Sequence, residues 1–576
     1  MEEFSFGLSL KELERRTSKE CLIEKKMLSE NSKEYQNLQE GDKEALLHLV
    51  KAAYVIEKVN KILDNRRNLP FEKWLDAKIK ENSKEAELTK ILYDAQKGIC
   101  AIDCESNKIS LASGIKELPQ KGLYPSDLSI EEFHNILISM LKNGKIDSVR
   151  KILNQRSVVE RFRDELIAYD YVDYFKNEFK EAADELILAS KCSTNQDFNE
   201  FLRLQAVALT SPDPMLDANC DKKWATLQDT PLEFTITREN YADEMTETVI
   251  ENPELKDLLD KCDITPVSKD FLGGRVGIVN KEGTSALLKI KDYLPLLASK
   301  MPFADKYEQN INPDSDTKQT MVDVDLVMVA GDVGAFRGGI TLAENLPNND
   351  KMSIKIGGGR RNVYHRQIRV SDPEKLQKRL NAILDEAQHK YYLDEADHWF
   401  TIGHENAHSL GPNKGTEALG KYTSIIEENK ADMGSLAFVD LLTEKGYYTE
   451  EDRLKVIVTF VADNFLKSKP TMAQAHRVRS VMQNYFLFKE GAYNLTEDNK
   501  IHVNIDKVVP AARKMLEQII EVQMSGDFSK GEEYVKTNFV WTDEMEIIAQ
   551  KLREINKTLN GRVISPLADK LLFENV

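Results

Sequence analysis

The stretch DHWFTIGHENAHSLGP contains His404-Glu405-Asn406-Ala407-His408, residue types and a spacing that can do metal chemistry. On an α-helix, positions i and i+4 lie about 40° apart around the axis, so both imidazoles project from one face and can share a tetrahedral metal ion. Glu405 lies about 100° from His404, beside such a metal rather than on it. That is where a general base must sit to take a proton from a water the metal activates. Gly411-Pro412 is expected to end this helix. Five of the nine histidines (His365, His389, His398, His404 and His408) are concentrated here. The others, like those three outside the pair, are expected to be structural, His48, His134 and His502 among them, with His476 set apart below.

A metal held for catalysis needs a third protein ligand and an open position. KYTSIIEENKADMGSLAFVDLL follows with a second helical pattern, placing Glu428 twenty positions after His408 and Asp432 one turn further on. Glu428 would complete a His₂Glu set, and Asp432 could hydrogen-bond the outer nitrogen of a ligand histidine. Small residues Ala431, Gly434 and Ser435 would let the two helices approach closely. HExxH followed by ExxxD resembles the gluzincin pattern. The bland alternative makes the acids i,i+4 charges on a solvated face that Asn429 and Lys430 would share.

The elements that must position these residues are mostly helices. LKELERR, EALLHLVKAAYVIEKVNKIL, EAELTKILYDAQKG, IEEFHNILISMLKNGK and VVERFRDELIAYDYVDYFKNEFKEAADELILASKC space apolar residues at three and four. From about residue 229 to 360, TPLEFTITREN, GGRVGIVN, VDVDLVMVAGD, GGITLAEN and MSIKIGGG are short β-branched runs bounded by turn residues, which predicts a mostly antiparallel sheet or small barrel. TSALLKIKDYLPLLASKM reads as a helix broken or kinked at Pro295. Gly357, Gly358 and Gly359 with Arg360 and Arg361 lack the P-loop spacing and read as a strand-end turn. After Asp372 the pattern is helical almost to the end. The fold class is α+β, predominantly α-helical.

Composition bounds the rest. With 79 Lys and Arg against 96 Asp and Glu, the formal charge of −17 argues against nucleic-acid binding through a basic surface. A 41% hydrophobic content can build cores, which excludes a disordered chain. No long apolar run and no signal-peptide pattern is present, so a soluble cytoplasmic protein with no membrane partner is expected. Six scattered cysteines (Cys21, Cys100, Cys104, Cys192, Cys220, Cys262), with no CxxC pair, are expected to be reduced thiols.

With the metal helices placed, five ordered motifs between about residues 225 and 500 make the chain resemble the dipeptidyl-peptidase III family of zinc metallopeptidases. They are RENYADEM with GGRVGIVN, ITLAENLPNND, HENAH, IIEENKADMGSL and PTMAQAHRVRSVMQNYFLFKEGAY. The likeness is greatest to the divergent branch fused to Nudix domains in plants. It implies one zinc ion held by His404, His408 and Glu428, with Glu405 as base and Glu427 and Asp432 as supporting carboxylates. Tyr241 and His476 match the residues that stabilise the oxyanion, and Glu239, Asn345 and Asn348 those that hold a substrate's free α-amine.

The resemblance also implies two lobes separated by a cleft: residues 1–285 with 322–372, carrying the strands and binding substrate, and 286–321 with 373–576, helical and zinc-binding. A monomer releasing N-terminal dipeptides from short peptides is expected. Two rivals remain: a peptide-binding or scaffolding protein with a structural zinc site, and a zinc amidohydrolase with a non-peptide substrate. Most of the family carries HExxxH and a closing Glu, whereas this chain has the five-residue form and Asp432.

Overall fold

Apolar residues at helical spacing give α1 (Glu40–Asp64), whose Leu46, Leu49, Ala53, Ile56 and Val59 are fully buried. It packs against α2 (Lys176–Cys192), which in turn packs against α3 (Gln196–Leu209). The computed structural model describes residues 3–102, 107–239, 243–309, 320–331, 343–346, 361–365, 373–472, 474–555 and 560–574.

Among the described residues five strands form the main sheet: β1 (Leu232–Glu239), β2 (Phe271–Val279), β3 (Thr320–Ala330), β4 (Ala343–Leu346) and β5 (Arg361–His365). Their order is β1-β2-β3-β5-β4. Three neighbouring pairs are antiparallel, but β5 runs parallel to β3, so the sheet is mixed, and among the described residues it is open rather than a closed barrel. Gly277, at a bulge in β2, has no room for a side chain: a Cβ there would lie 2.1 Å from Val324 Cγ1.

Several sequence expectations need correction. MSIKIGGG lies outside the described residues, and the fifth described strand is Arg361–His365, the segment that begins where a turn was expected. VVERFRDELIAYD is not helical. Ser157–Phe162 and Glu165–Asp170 pair antiparallel, and Arg163 turns the chain at φ 56°. Its β-branched and aromatic residues also fit a two-residue period, and pairing decided between the two. Leu22–Lys26, inside the supposedly helical N-terminal third, is a strand paired in parallel with Asn560–Ile564. The helix expected to break at Pro295 does break, into Lys281–Leu288, a 3₁₀ turn and Leu294–Lys300.

Buried apolar side chains form two large clusters and a smaller one. The first joins α1, α2 and α3 to the sheet, and the second gathers residues of Ile290–Met301 and of the helices from Leu380 to Leu552. Neighbours on a strand point to opposite faces, so Val322 and Val363 enter the first cluster while Met321 and Tyr364 enter the second. Leu567, Ala568 and Leu571 return to the first. The second cluster includes α4 (Asp394–Ala407), α5 (Thr423–Ala437), α6 (Ala475–Lys489) and α7 (Ile505–Ser525), and β4 lies against α4. No described helix is long and apolar enough to cross a membrane.

Candidate metal centre

Asp394, Glu395 and Asp397 in its first turn suit the positive end of the α4 dipole. Regular helix ends at Ala407, earlier than Gly411, but His408 keeps helical backbone angles at the cap and its N–H bonds the His404 carbonyl at 3.3 Å. The two imidazoles therefore stay on one face. Gly411 follows at φ 90° and turns the chain away.

Helices α4 and α5 meet at small residues. A Cβ on Gly403 would lie 2.3 Å from Ser435 Oγ, and one on Gly434 would lie 2.9 Å from Ala407 Cβ. Ser435 Oγ donates to the Phe400 carbonyl at 2.8 Å, fixing the crossing. This close approach delivers Glu428 to the histidines. One ligand atom from each of His404, His408 and Glu428 lies within 4.8 Å of the others.

The outer ring nitrogens are occupied by carboxylates. His404 Nδ1 bonds Asp432 Oδ1 at 2.7 Å and His408 Nδ1 bonds Glu427 Oε1 at 2.9 Å, leaving the two Nε2 atoms facing each other at 3.2 Å. Two imidazole nitrogens this close, beside a carboxylate, call for a cation between them. His404 Nε2 and His476 Nδ1 lie 3.4 and 3.1 Å from Glu428 Oε2, yet this buried oxygen receives no hydrogen bond of proper geometry. A buried carboxylate oxygen aimed at two imidazoles, with their far sides fixed by acids, is the donor set of a borderline-soft divalent metal ion.

The electrostatics agree. Burial alone would lower the His404 pKa, but the hydrogen bond to Asp432 and the nearby Glu428 carboxylate outweigh it and raise the ring to about 10. Burial would raise the Glu427 carboxyl, but Lys430 and His408 hold it down at about 2. This pocket stabilises positive charge, whether proton or metal.

An outer layer went unread in the sequence. Arg479 pairs with Asp432, and Gln483 Nε2 donates to Asp432 Oδ2 at 3.0 Å and to Asn429 Oδ1 at 3.0 Å. Glu427 also receives Lys430 Nζ at 2.8 Å and Gln523 Nε2, from α7, at 2.8 Å. Asn429 and Lys430 are 0% and 2% exposed, so the solvated-face alternative for α5 fails. The available signal was the 476, 479, 483 spacing, one face of α6.

Glu405 is buried on α4 next to His404. His476 stands in the first turn of α6 with its side chain 69% exposed, while its Nδ1 reaches Glu428. Tyr241 and Asn348 lie outside the described residues. For Glu239 and Asn345 only the backbone is described: Glu239 ends β1 opposite Phe271, and Asn345 on β4 pairs with Asn362. They occupy the two outer strands of the sheet, with three strands between them in the hydrogen-bonding order.

No family model matches the chain, and no curated protein matches it. Solved structures do. Dipeptidyl-peptidase III from Caldithrix abyssi superposes with a TM-score of 0.77 at 23% identity, covering 98% of this chain and 100% of that one. Dipeptidyl-peptidase III from Corallococcus sp. strain EGB superposes with a TM-score of 0.74 at 19% identity, covering 99% of each chain. Over nearly its whole length, the chain has the fold of the dipeptidyl-peptidase III structures.

Proposed function

We propose that this protein is a zinc-dependent aminodipeptidase of the dipeptidyl-peptidase III type, hydrolysing short peptides and releasing N-terminal dipeptides. The observation that carries the reading is the convergence of His404, His408 and Glu428, with their outer atoms held by acids, on a helix that also carries Glu405. The shared fold and the ordered motifs support it.

His404, His408 and Glu428 would hold zinc. When bound, zinc supplies a Lewis acid that makes water acidic and a peptide carbonyl electrophilic at neutral pH. Glu405 takes the proton from the attacking water and passes it to the leaving amine. Asp432 and Glu427 keep the imidazoles in the orientation and tautomer that turns Nε2 toward the metal. Tyr241 and His476 donate to the oxyanion as the carbonyl becomes tetrahedral. Glu239, Asn345 and Asn348 hold the substrate's ammonium group, which sets the register at two residues.

A binding protein with a structural metal has no use for a buried base at position 405. The purified protein should release dipeptides from unblocked arylamide and peptide substrates and lose that activity to a chelator. Glu405→Gln should cut turnover at least about 10²-fold while metal content stays near one per His₂Glu group. Acetylating the substrate's N-terminus should cost about 10² or more, since a carboxylate loses its charged partner in a desolvated site. Full activity in Glu405→Gln overturns the mechanism. Efficient internal cleavage of acetylated peptides overturns the register alone, and activity confined to non-peptide amides favours the amidohydrolase.

A further inference from the structure

Far from this centre in sequence, α1 and α2 bring together a second group of metal-ligating side chains. Glu44 and His48 are one turn apart on α1, on one face, and Cys192 is the last residue of α2. One ligand atom from each lies within 4.8 Å of the others. Glu185, two turns before Cys192 on α2, bonds His48 Nδ1 at 2.6 Å. That contact leaves His48 Nε2 as the free ligand atom, the arrangement Asp432 and Glu427 impose on His404 and His408.

The backbone holds the group in place. Asp42, two residues before Glu44, accepts from Ser193 Oγ at 3.0 Å, Thr194 N at 2.9 Å and Thr194 Oγ1 at 2.8 Å. Gly41 lets the helices close further, for a Cβ there would lie 2.4 Å from the Cys192 carbonyl oxygen. The start of α1 is thus pinned to the end of α2 independently of any ligand. His48 is largely buried, whereas Glu44 is exposed, so the group opens to solvent on one side.

We propose that Glu44, His48 and Cys192 form a second metal site, which takes zinc or a similar borderline-soft divalent transition ion and staples α1 to α2. A thiolate, an imidazole and a carboxylate exclude magnesium and calcium, which take oxygen donors, and match the softness of zinc. Three protein ligands leave the fourth position to water on the side of Glu44. Binding of the metal by the Cys192 sulfur releases the thiol proton to solvent. The five described cysteines are free, so no disulfide among them competes for this sulfur. In sequence His48 reads as a structural histidine and Cys192 as an ordinary reduced thiol, and 144 positions separate them.

The two groups differ in one respect that spectroscopy can read: only the second has sulfur. The reduced full-length protein, stripped with chelator and reloaded with cobalt(II), should bind two equivalents and show a near-ultraviolet thiolate-to-cobalt charge-transfer band. Cys192→Ser and His48→Ala should each lose the band and one equivalent. His408→Ala should lose the other equivalent and keep the band, which separates this proposal from the reading of the first centre. In the unsubstituted protein, free zinc at about ten times its Kd should slow alkylation of Cys192 by iodoacetamide about tenfold, followed by mass spectrometry of the Cys192 peptide. Absence of the band, a band that survives Cys192→Ser, or alkylation indifferent to zinc would each overturn the site.

Discussion

Two buried charged regions of this molecule look alike in composition and differ in how they are satisfied. Lys269 and Asp243 are both 0% exposed, and each of their own charged atoms finds a partner within the protein. Lys269 Nζ donates to the Ile152 and Asn154 carbonyls and to Ser157 Oγ. Asp243 accepts from Tyr124 OH, Thr246 N and Lys269 N. At the candidate metal centre the outer atoms are equally well bonded, but within it the two Nε2 atoms have only each other, at 3.2 Å, and Glu428 Oε2 beside them receives no hydrogen bond of proper geometry. A closed network holds the fold together. A network closed on the outside and open within is arranged around something it will bind.

The largest expected effect separates the two kinds. Glu428→Ala and His408→Ala should abolish metal binding at the first centre and with it activity, read by metal analysis and arylamide turnover. If Glu428→Ala keeps its metal, Glu427 becomes the candidate ligand. Next comes Lys269→Met, which takes the charged donor from the Ile152 and Asn154 carbonyls and from Ser157 Oγ. It should lower unfolding stability in urea by about 1 to 3 kcal/mol, the usual cost of leaving a buried acceptor without its donor. The folded fraction should keep its metal stoichiometry, and a loss of metal there would break the distinction between the regions.

Asp432→Ala should weaken metal affinity about 10 to 100-fold, the typical cost of losing the partner that orients a ligand histidine. Gln483→Ala removes one of several donors to that acid and should have the smallest effect, about 0.5 to 1.5 kcal/mol in stability. Competition with a calibrated chelator measures the first and denaturant titration the second.

How far the sequence could be read follows the same division. HENAH and EENKAD were legible because helical periodicity alone puts His404 beside His408, and Glu428 one turn before Asp432. The closeness of α4 and α5 was half legible, in Gly434 and Ser435, while Gly403 became meaningful only when Ser435 was found against it. Arg479 and Gln483 were hidden, since a long polar residue on a helix is ordinary until its partner is known. Lys269 and Asp243 were hidden for the same reason, their partners being contributed by four separate segments. The hairpin at 157–170 was misread because VVERFRDELIAYD satisfies helical and strand periods together, and only the pairing of its two halves decides.

The parallel pairing of Leu22–Lys26 with Asn560–Ile564, and the return of Leu567 and Leu571 to the first core, set an order on biosynthesis. A ribosome adding about 5 to 20 residues per second makes Leu28 roughly half a minute to two minutes before Leu567, whose N–H bonds its carbonyl. During that interval the sheet and α1 wait with part of their apolar surface uncovered, and the helical second core is finished before the first. Nascent chains arrested short of residue 560 should therefore be protease-sensitive near their beginning.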